Sequence, residues 1–225
     1  MIKSLTGGRE LLLPEQLHID RSSAVCFAGH REKSIHPYNN LYQNRDITFF
    51  ALKLLLARYI DIAINSGYTS FISGFAEGVD LWAASHIIKR KNEGADISLI
   101  GAIPYLHHAD RFGKKYSEAL KHAEFYADAV VLINPNPDIT YSTLPQGINQ
   151  SKTLYRDRNY FMVDNSSALI AFMNENIKWS GTLQTLNYAK KNKLKLCCFG
   201  LKEVYSLMEQ GNFELAEMIE IVKHI

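Results

Sequence analysis

Several kinds of residue are scarce in this chain, and each shortage narrows what it can be. Charge of one sign is missing: 25 Lys and Arg against 23 Asp and Glu leave a formal net charge of +2. That balance gives no global electrostatic case for nucleic acid or an anionic membrane surface as partner. Cysteine is nearly absent, with only Cys26, Cys197 and Cys198, all inside apolar strand-like runs and without metal-ligand spacing. Three small buried hydrophobes in a reducing compartment are expected, with neither a disulfide nor zinc. Long hydrophobic runs are lacking too. The longest helical apolar stretch, Phe49 to Ile64, is interrupted by Lys53, Arg58 and Asp61, and no signal-peptide core opens the chain. A soluble, cytoplasmic protein with no membrane partner is expected. There is no Walker lysine motif and no carboxylate cluster with ligand spacing, so the motifs require neither a metal nor a cofactor.

What the chain does contain is a repeated pattern. With 225 residues and 47% hydrophobic content it can bury a full core, and no break in composition separates two domains. Residues 1–21 read as an N-terminal extension whose apolar run Leu11-Leu12-Leu13-Pro14 packs on a single domain spanning 22–225. Strand-like runs at Ser22–Ala28, Thr69–Ser73, Ile97–Ile103, Ala129–Ile133, Ala168–Phe172 and Leu194–Phe199 alternate with helical periodicity. The helical stretches are Asp46–Asn65, Val79–Lys91, Ala109–Tyr126, Leu154–Val163, Gly181–Lys191 and Lys202–Lys223. This alternation predicts an α/β fold, a Rossmann-like three-layer sandwich with a mostly parallel sheet and helices on both faces. The long segment 134–152 carries Pro135, Pro137, Pro145 and Gly147 and reads as a lid or binding loop, with disorder as the alternative.

Glycines and polar residues cluster where strands end, and ligands of open α/β sheets gather there. The central stretch is Ser73-Gly74-Phe75-Ala76-Glu77-Gly78-Val79-Asp80, an apolar strand's end running through two glycines into a helix. Glycine permits close backbone approach, and a helix start presents unpaired N–H groups to an anion. Gly29-His30-Arg31, Pro104-Tyr105 and Ser180-Gly181-Thr182 also follow strands, with Pro104 read as ending its strand and Ser180 as a helix N-cap. Arg31 is a phosphate ligand or an anchor for the following loop. Glu77 and Asp80 suit a helix entry on dipole grounds alone, and beside a phosphate they are also candidates for ribose hydroxyls or for catalysis. Trp82, Tyr105 and Trp179 are candidates to stack on a base, with core or homodimer packing as the competing use.

Together with Arg158-Asn159-Tyr160-Phe161-Met162-Val163-Asp164, these motifs in this order resemble the YpsA-like branch of the SLOG superfamily. That superfamily also holds the DprA/Smf proteins and the Lonely Guy phosphoribohydrolases. The resemblance implies a Rossmann-like domain that binds a nucleotide or nucleotide-derived ligand at the carboxyl ends of its strands. It adds Arg158, Asn159 and Met162 to the candidate ligand-binding set. In the Lonely Guy pattern the arginine and methionine fall on Arg158 and Met162, and the glycine-threonine phosphate loop falls on Gly181 and Thr182. The pattern's glutamate, however, falls on Thr185, and its proline-glycine-glycine lead-in is replaced by Lys178-Trp179-Ser180. A hydroxyl cannot stabilise the cationic ribose of N-glycosidic cleavage as a carboxylate does. The expected function is therefore binding of an ADP-ribose or NAD type of ligand as a sensor or regulatory module. The alternatives are an enzyme cleaving a nucleotide's N-glycosidic bond, with Glu77 or Asp80 as the acid, and a DprA-like nucleic-acid partner.

Overall fold

Strands buried on both faces of a parallel sheet are continuous apolar runs, and this chain places its runs accordingly. The computed structural model describes residues 2–35, 45–140 and 150–209. A short antiparallel pair, β1 (Ile2–Lys3) and β2 (Glu10–Leu11), precedes six longer strands. These are β3 (Ala24–Ala28), β4 (Ser70–Ser73), β5 (Ser98–Tyr105), β6 (Ala129–Asn134), β7 (Ala168–Met173) and β8 (Lys195–Gly200). They form one sheet in the order β6-β5-β4-β3-β7-β8, parallel throughout. Between them run helices α1 (Arg45–Asn65), α2 (Val79–Asn92), α3 (Lys114–Tyr126), α4 (Gln150–Asp164) and α5 (Gly181–Lys191), with α6 (Leu201–Glu209) after the last strand.

Alternation along each strand divides the core in two. Val25, Phe27, Phe71, Leu99 and Phe172 pack under α1, α2, α3 and α6, while Cys26, Ala28, Ile72, Ala102 and Leu169 pack under α4 and α5. The result is a Rossmann-like three-layer sandwich. The chain steps outward from β3 through β4 and β5 to β6, and α4 then carries it back across the sheet to β7 and on to β8. Crossovers of one hand put the outward and return helices on opposite faces. Connections therefore leave β3 and β7 in opposite directions, and a crevice opens between their carboxyl ends.

The N-terminal residues guard the sheet's outer edge. Leu12 N donates to Val130 O, and Leu132 N donates to Leu12 O, each at 2.8 Å, so Leu12 extends the ladder beyond β6. Ser4 Oγ donates to Glu124 Oε2 on α3 at 2.7 Å. At the other edge β8 leaves Leu196 and Cys198 exposed, which corrects the expectation of three buried cysteines: Cys26 is buried and Cys197 half-buried. The uncovered side of an edge strand explains the difference.

Several boundaries also differ from expectation, among them the start of α4 at Gln150, inside the expected loop 134–152 and ahead of Leu154. α3 begins at Lys114 after turns at 106–112, where Phe112 N donates to Ala109 O at 2.9 Å. β5 runs through Pro104 to Tyr105 instead of ending there. Its pairing with β4 stops at Gly101, so the proline sits where the ladder is already one-sided. Residues 36–44 of the expected loop 34–44, residues 141–149 of the expected loop 134–152, and residues 210–223 of the closing helix expected over 202–223 lie outside the described residues. No helix among the described residues is long and apolar enough to cross a membrane.

A polar clasp ties α1 to α2. Asp61 Oδ1 lies 2.8 Å from His86 Nε2 and accepts from Arg90 Nε at 2.7 Å, and Arg90 Nη2 also pairs with Asp61. Burial pushes the Asp61 carboxyl up, but the hydrogen bonds from His86 and Arg90 outweigh it and hold it down at about 2. A carboxylate depressed in the folded state stabilises above its unfolded value of about 3.9 and loses that contribution as pH falls toward its folded value. Asp61→Asn is expected to be about 1–3 kcal/mol less stable at neutral pH. The wild type should lose stability more steeply than this variant as pH falls from about 4 to 2. Urea unfolding across that range checks it, and parallel acid limbs would contradict it.

Candidate functional site at the sheet's switch point

The crevice between β3 and β7 holds a cavity of about 310 Å³. Three strand exits and one face of α4 build it. From β3 come Gly29, His30 and Arg31. A Cβ on Gly29 would overlap the side chain of Val79, so the glycine lets α2 start directly against the strand's end. His30 is 6% exposed, its Nε2 has no hydrogen-bond partner, and burial lowers its pKa, which favours the neutral ring. The Arg31 guanidinium lies over the Tyr155 ring, with Cζ 5.4 Å from its centroid.

The exit from β4 leads to a buried carboxylate. Ser73 Oγ donates to Asp80 O at 2.8 Å and accepts from Phe75 N at 3.3 Å, closing the turn that delivers Asp80 in the first turn of α2. Asp80 is 6% exposed and its carboxylate lies 3.6 Å from Arg158 Nη1. Burial raises the Asp80 pKa, and the neighbouring Arg158 cation opposes that rise. Arg158, itself 5% exposed, donates through Nη1 to Gly74 O, while its Nε has no partner. Burial lowers its pKa too, opposed by Asp80, but a guanidinium starts so high that it stays charged. Gly74 has no side chain for a physical reason: a Cβ would fall inside the Arg158 guanidinium and 2.5 Å from Asp80 Oδ2.

α5 closes the site. Ser180 Oγ caps it by accepting from Leu183 N at 3.1 Å, and Gly181 and Thr182 present the start of the helix to the cavity. Thr185, onto which the resemblance places the Lonely Guy glutamate, is fully engaged. Its Oγ1 donates to Gly181 O at 2.8 Å and accepts from Asn159 Nδ2 at 2.9 Å, tying α5 to α4.

Gly29, His30, Arg31, Asp80, Arg158, Asn159, Ser180, Gly181 and Thr182 thus line one cavity. The remaining sequence candidates lie around it. Ser73 and Gly74 form the layer beneath, and Gly78, with φ +91°, packs over the backbone of residues 30–32. Glu77 belongs to the same turn but not to the lining. Met162 is 1% exposed in the core between α4, α5 and the sheet, one helical turn beyond Arg158. Pro104 is within β5, and Tyr105, 1% exposed, rests against Tyr155 with ring centroids 6.1 Å apart. Trp82 is buried against Phe49, whereas Trp179 is on the cavity's rim.

Sequence reasoning did not single out Tyr155, Ser34, Ala76 or Ile177, which also line the cavity, nor His108 behind it. Burial, reinforced by Arg158 and Arg31, pushes the His108 pKa down to about 3, so this ring is neutral and adds no charge to the site. Tyr155 precedes Arg158 by three residues on α4, and that helical spacing was the available signal. The cavity therefore combines two guanidinium groups, a capped helix N-terminus and one buried carboxylate, an arrangement suited to accepting an anion. The YpsA family model, described as the YspA SLOG family, matches residues 25–200. No curated protein matches the chain.

Proposed function

This chain belongs to the YspA SLOG family, and from that premise we propose that it binds a nucleotide-derived ligand of the ADP-ribose or NAD type as a sensor or regulatory module. The observation that carries this reading is the meeting of Arg31, Arg158 and the capped start of α5 in one cavity at the switch point. A phosphate fits such a place, since helix N–H groups and guanidinium forks both favour an oxyanion. His30 Nε2 and Arg158 Nε, buried without partners on residues lining the same cavity, are further polar atoms for a ligand to satisfy.

Binding is favoured over hydrolysis by the state of the acids. Asp80 is the one carboxylate lining the cavity among the described residues, and it is held against Arg158. Thr185 offers only a hydroxyl already in use on both sides. Among the described residues lining the cavity, no free carboxylate is thus poised beside a ribose, as N-glycosidic cleavage requires. The same small net charge that disfavours a DprA-like nucleic-acid role leaves a small anion as the natural partner.

Calorimetry with ADP-ribose, NAD and nucleoside monophosphates tests the proposal. The wild type should bind at least one of them, and Arg31→Ala, a half-buried residue whose loss spares the core, should weaken that binding about tenfold or more. Absence of binding at millimolar ligand would sink the reading. High-concentration incubation followed by chromatography should leave these compounds intact, and released base would favour the enzyme instead.

A further inference from the structure

Besides the buried Phe27 and His30, Tyr155 and Trp179 line the cavity, and these two rings stand in opposite conditions. Tyr155 is occupied: Arg31 covers its face and Tyr105 meets it edge-on. Trp179 is 92% exposed and makes no ring contact among the described residues. Its backbone is nevertheless held on both sides. Before it, Ile177 N donates to Asn174 O at 3.0 Å and Asn174 Nδ2 donates to Ser34 O at 3.0 Å; after it, Ser180 caps α5. A large indole is thus carried on an anchored stretch of chain while its ring has no ring partner among the described residues.

Its surroundings argue against a protein interface. Glu175, Asn176 and Lys178 around it are exposed and polar, so the indole stands alone instead of joining an apolar patch. Its place relative to the helix start is informative. Trp179 lies two residues before Gly181, so a phosphate seated on Gly181 and Thr182 leaves the body of its ligand beside the indole face. A flat π surface at that position suits an aromatic base, which stacks on such rings whatever its hydrogen-bonding edge.

Resting on the nucleotide-site reading above, we infer that Trp179 is the residue on which the ligand's base stacks, so that the site selects base-bearing phosphates over sugar phosphates. The ring contributes affinity and discrimination through the base alone.

The test uses AMP and ADP-ribose as base-bearing probes and ribose 5-phosphate as the probe without a base. The chain has two tryptophans, and Trp82 is buried at 3% exposure, so it supplies a constant background to Trp179 emission. Base-bearing probes should quench wild-type fluorescence, and the quench should vanish in Trp179→Phe although calorimetry still detects binding. Trp179→Ala should bind AMP or ADP-ribose about tenfold more weakly while its affinity for ribose 5-phosphate stays within about twofold. Equal weakening of both kinds of probe, or of neither, would overturn the stacking role while leaving the site reading intact. If the wild type binds none of the three probes, the site reading fails and this inference fails with it.

Discussion

Arg158→Ala is expected to lower stability by about 3–5 kcal/mol, because it leaves a buried carboxylate without its counter-ion. Asp80 is 6% exposed, and Arg158 is its ion-pair partner among the described residues. The substitution also strips the donor from Gly74 O, a second buried polar group. The loss should depend on pH with a definite sign. Burial already raises the Asp80 pKa, and removing Arg158 takes away the main influence opposing that rise. Where the folded carboxyl binds a proton that the unfolded one has released, stability falls as pH rises. The penalty should therefore be smallest near or below the unfolded carboxyl value of about 3.9 and grow toward neutrality. Urea midpoints for wild type and variant at mildly acid and neutral pH measure it. Replacing both partners by apolar residues, Asp80→Leu with Arg158→Met, should recover part of the stability without restoring nucleotide binding. A pH-independent loss below about 1 kcal/mol would mean that the pair is not the anchor of the site.

What the sequence made readable follows from which forces are local. β3 and β7 were visible because Ala24–Ala28 and Ala168–Met173 are apolar throughout, as a strand buried on both faces requires, and in β4 Phe71 and Ile72 carry the same signal between two serines; the glycines after β3 and β4 mark their exits. The cap Ser180 was visible because capping is settled within four residues. Arg158 was readable as a site residue only through the order of motifs. Its actual partners, Asp80 at the start of α2 and the carbonyl of Gly74 just after β4, are far from it in sequence, and no spacing rule links them. The acids nearest to Arg158 on α4 are engaged elsewhere: Asp157 pairs with Arg156 and Asp164 accepts from Tyr188. Pro104 and Cys198 misled for one reason. Each sits where a strand has lost a neighbour or a cover, and being at an edge is a property of the assembled sheet, not of the local run.

Gly78→Ala should be nearly as damaging, and its cause can be isolated by a control within the same chain. Gly78 has φ +91° and ψ −129°, backbone angles that a residue with a Cβ reaches only at a cost of about 1–3 kcal/mol. A Cβ there would also lie 2.6 Å from His30 O and 2.8 Å from Glu32 N, and these are backbone atoms that no rotamer change can move aside. The chain must then separate the start of α2 from the exit of β3, so the total should reach about 3–5 kcal/mol. Gly67, where α1 ends, has φ +88° but nothing within 4 Å of its would-be Cβ. Gly67→Ala should therefore cost only about 1 kcal/mol, the conformational part alone. The difference between the two variants in urea unfolding reports the steric part. The same displacement carries His30 and Arg31 away from α5, so Gly78→Ala should lose nucleotide binding even under conditions where it stays folded, whereas Gly67→Ala keeps it. Equal stability losses in the two variants would show that the α2 entry can move away from β3 freely, and a cavity resting on that junction would have no fixed wall there.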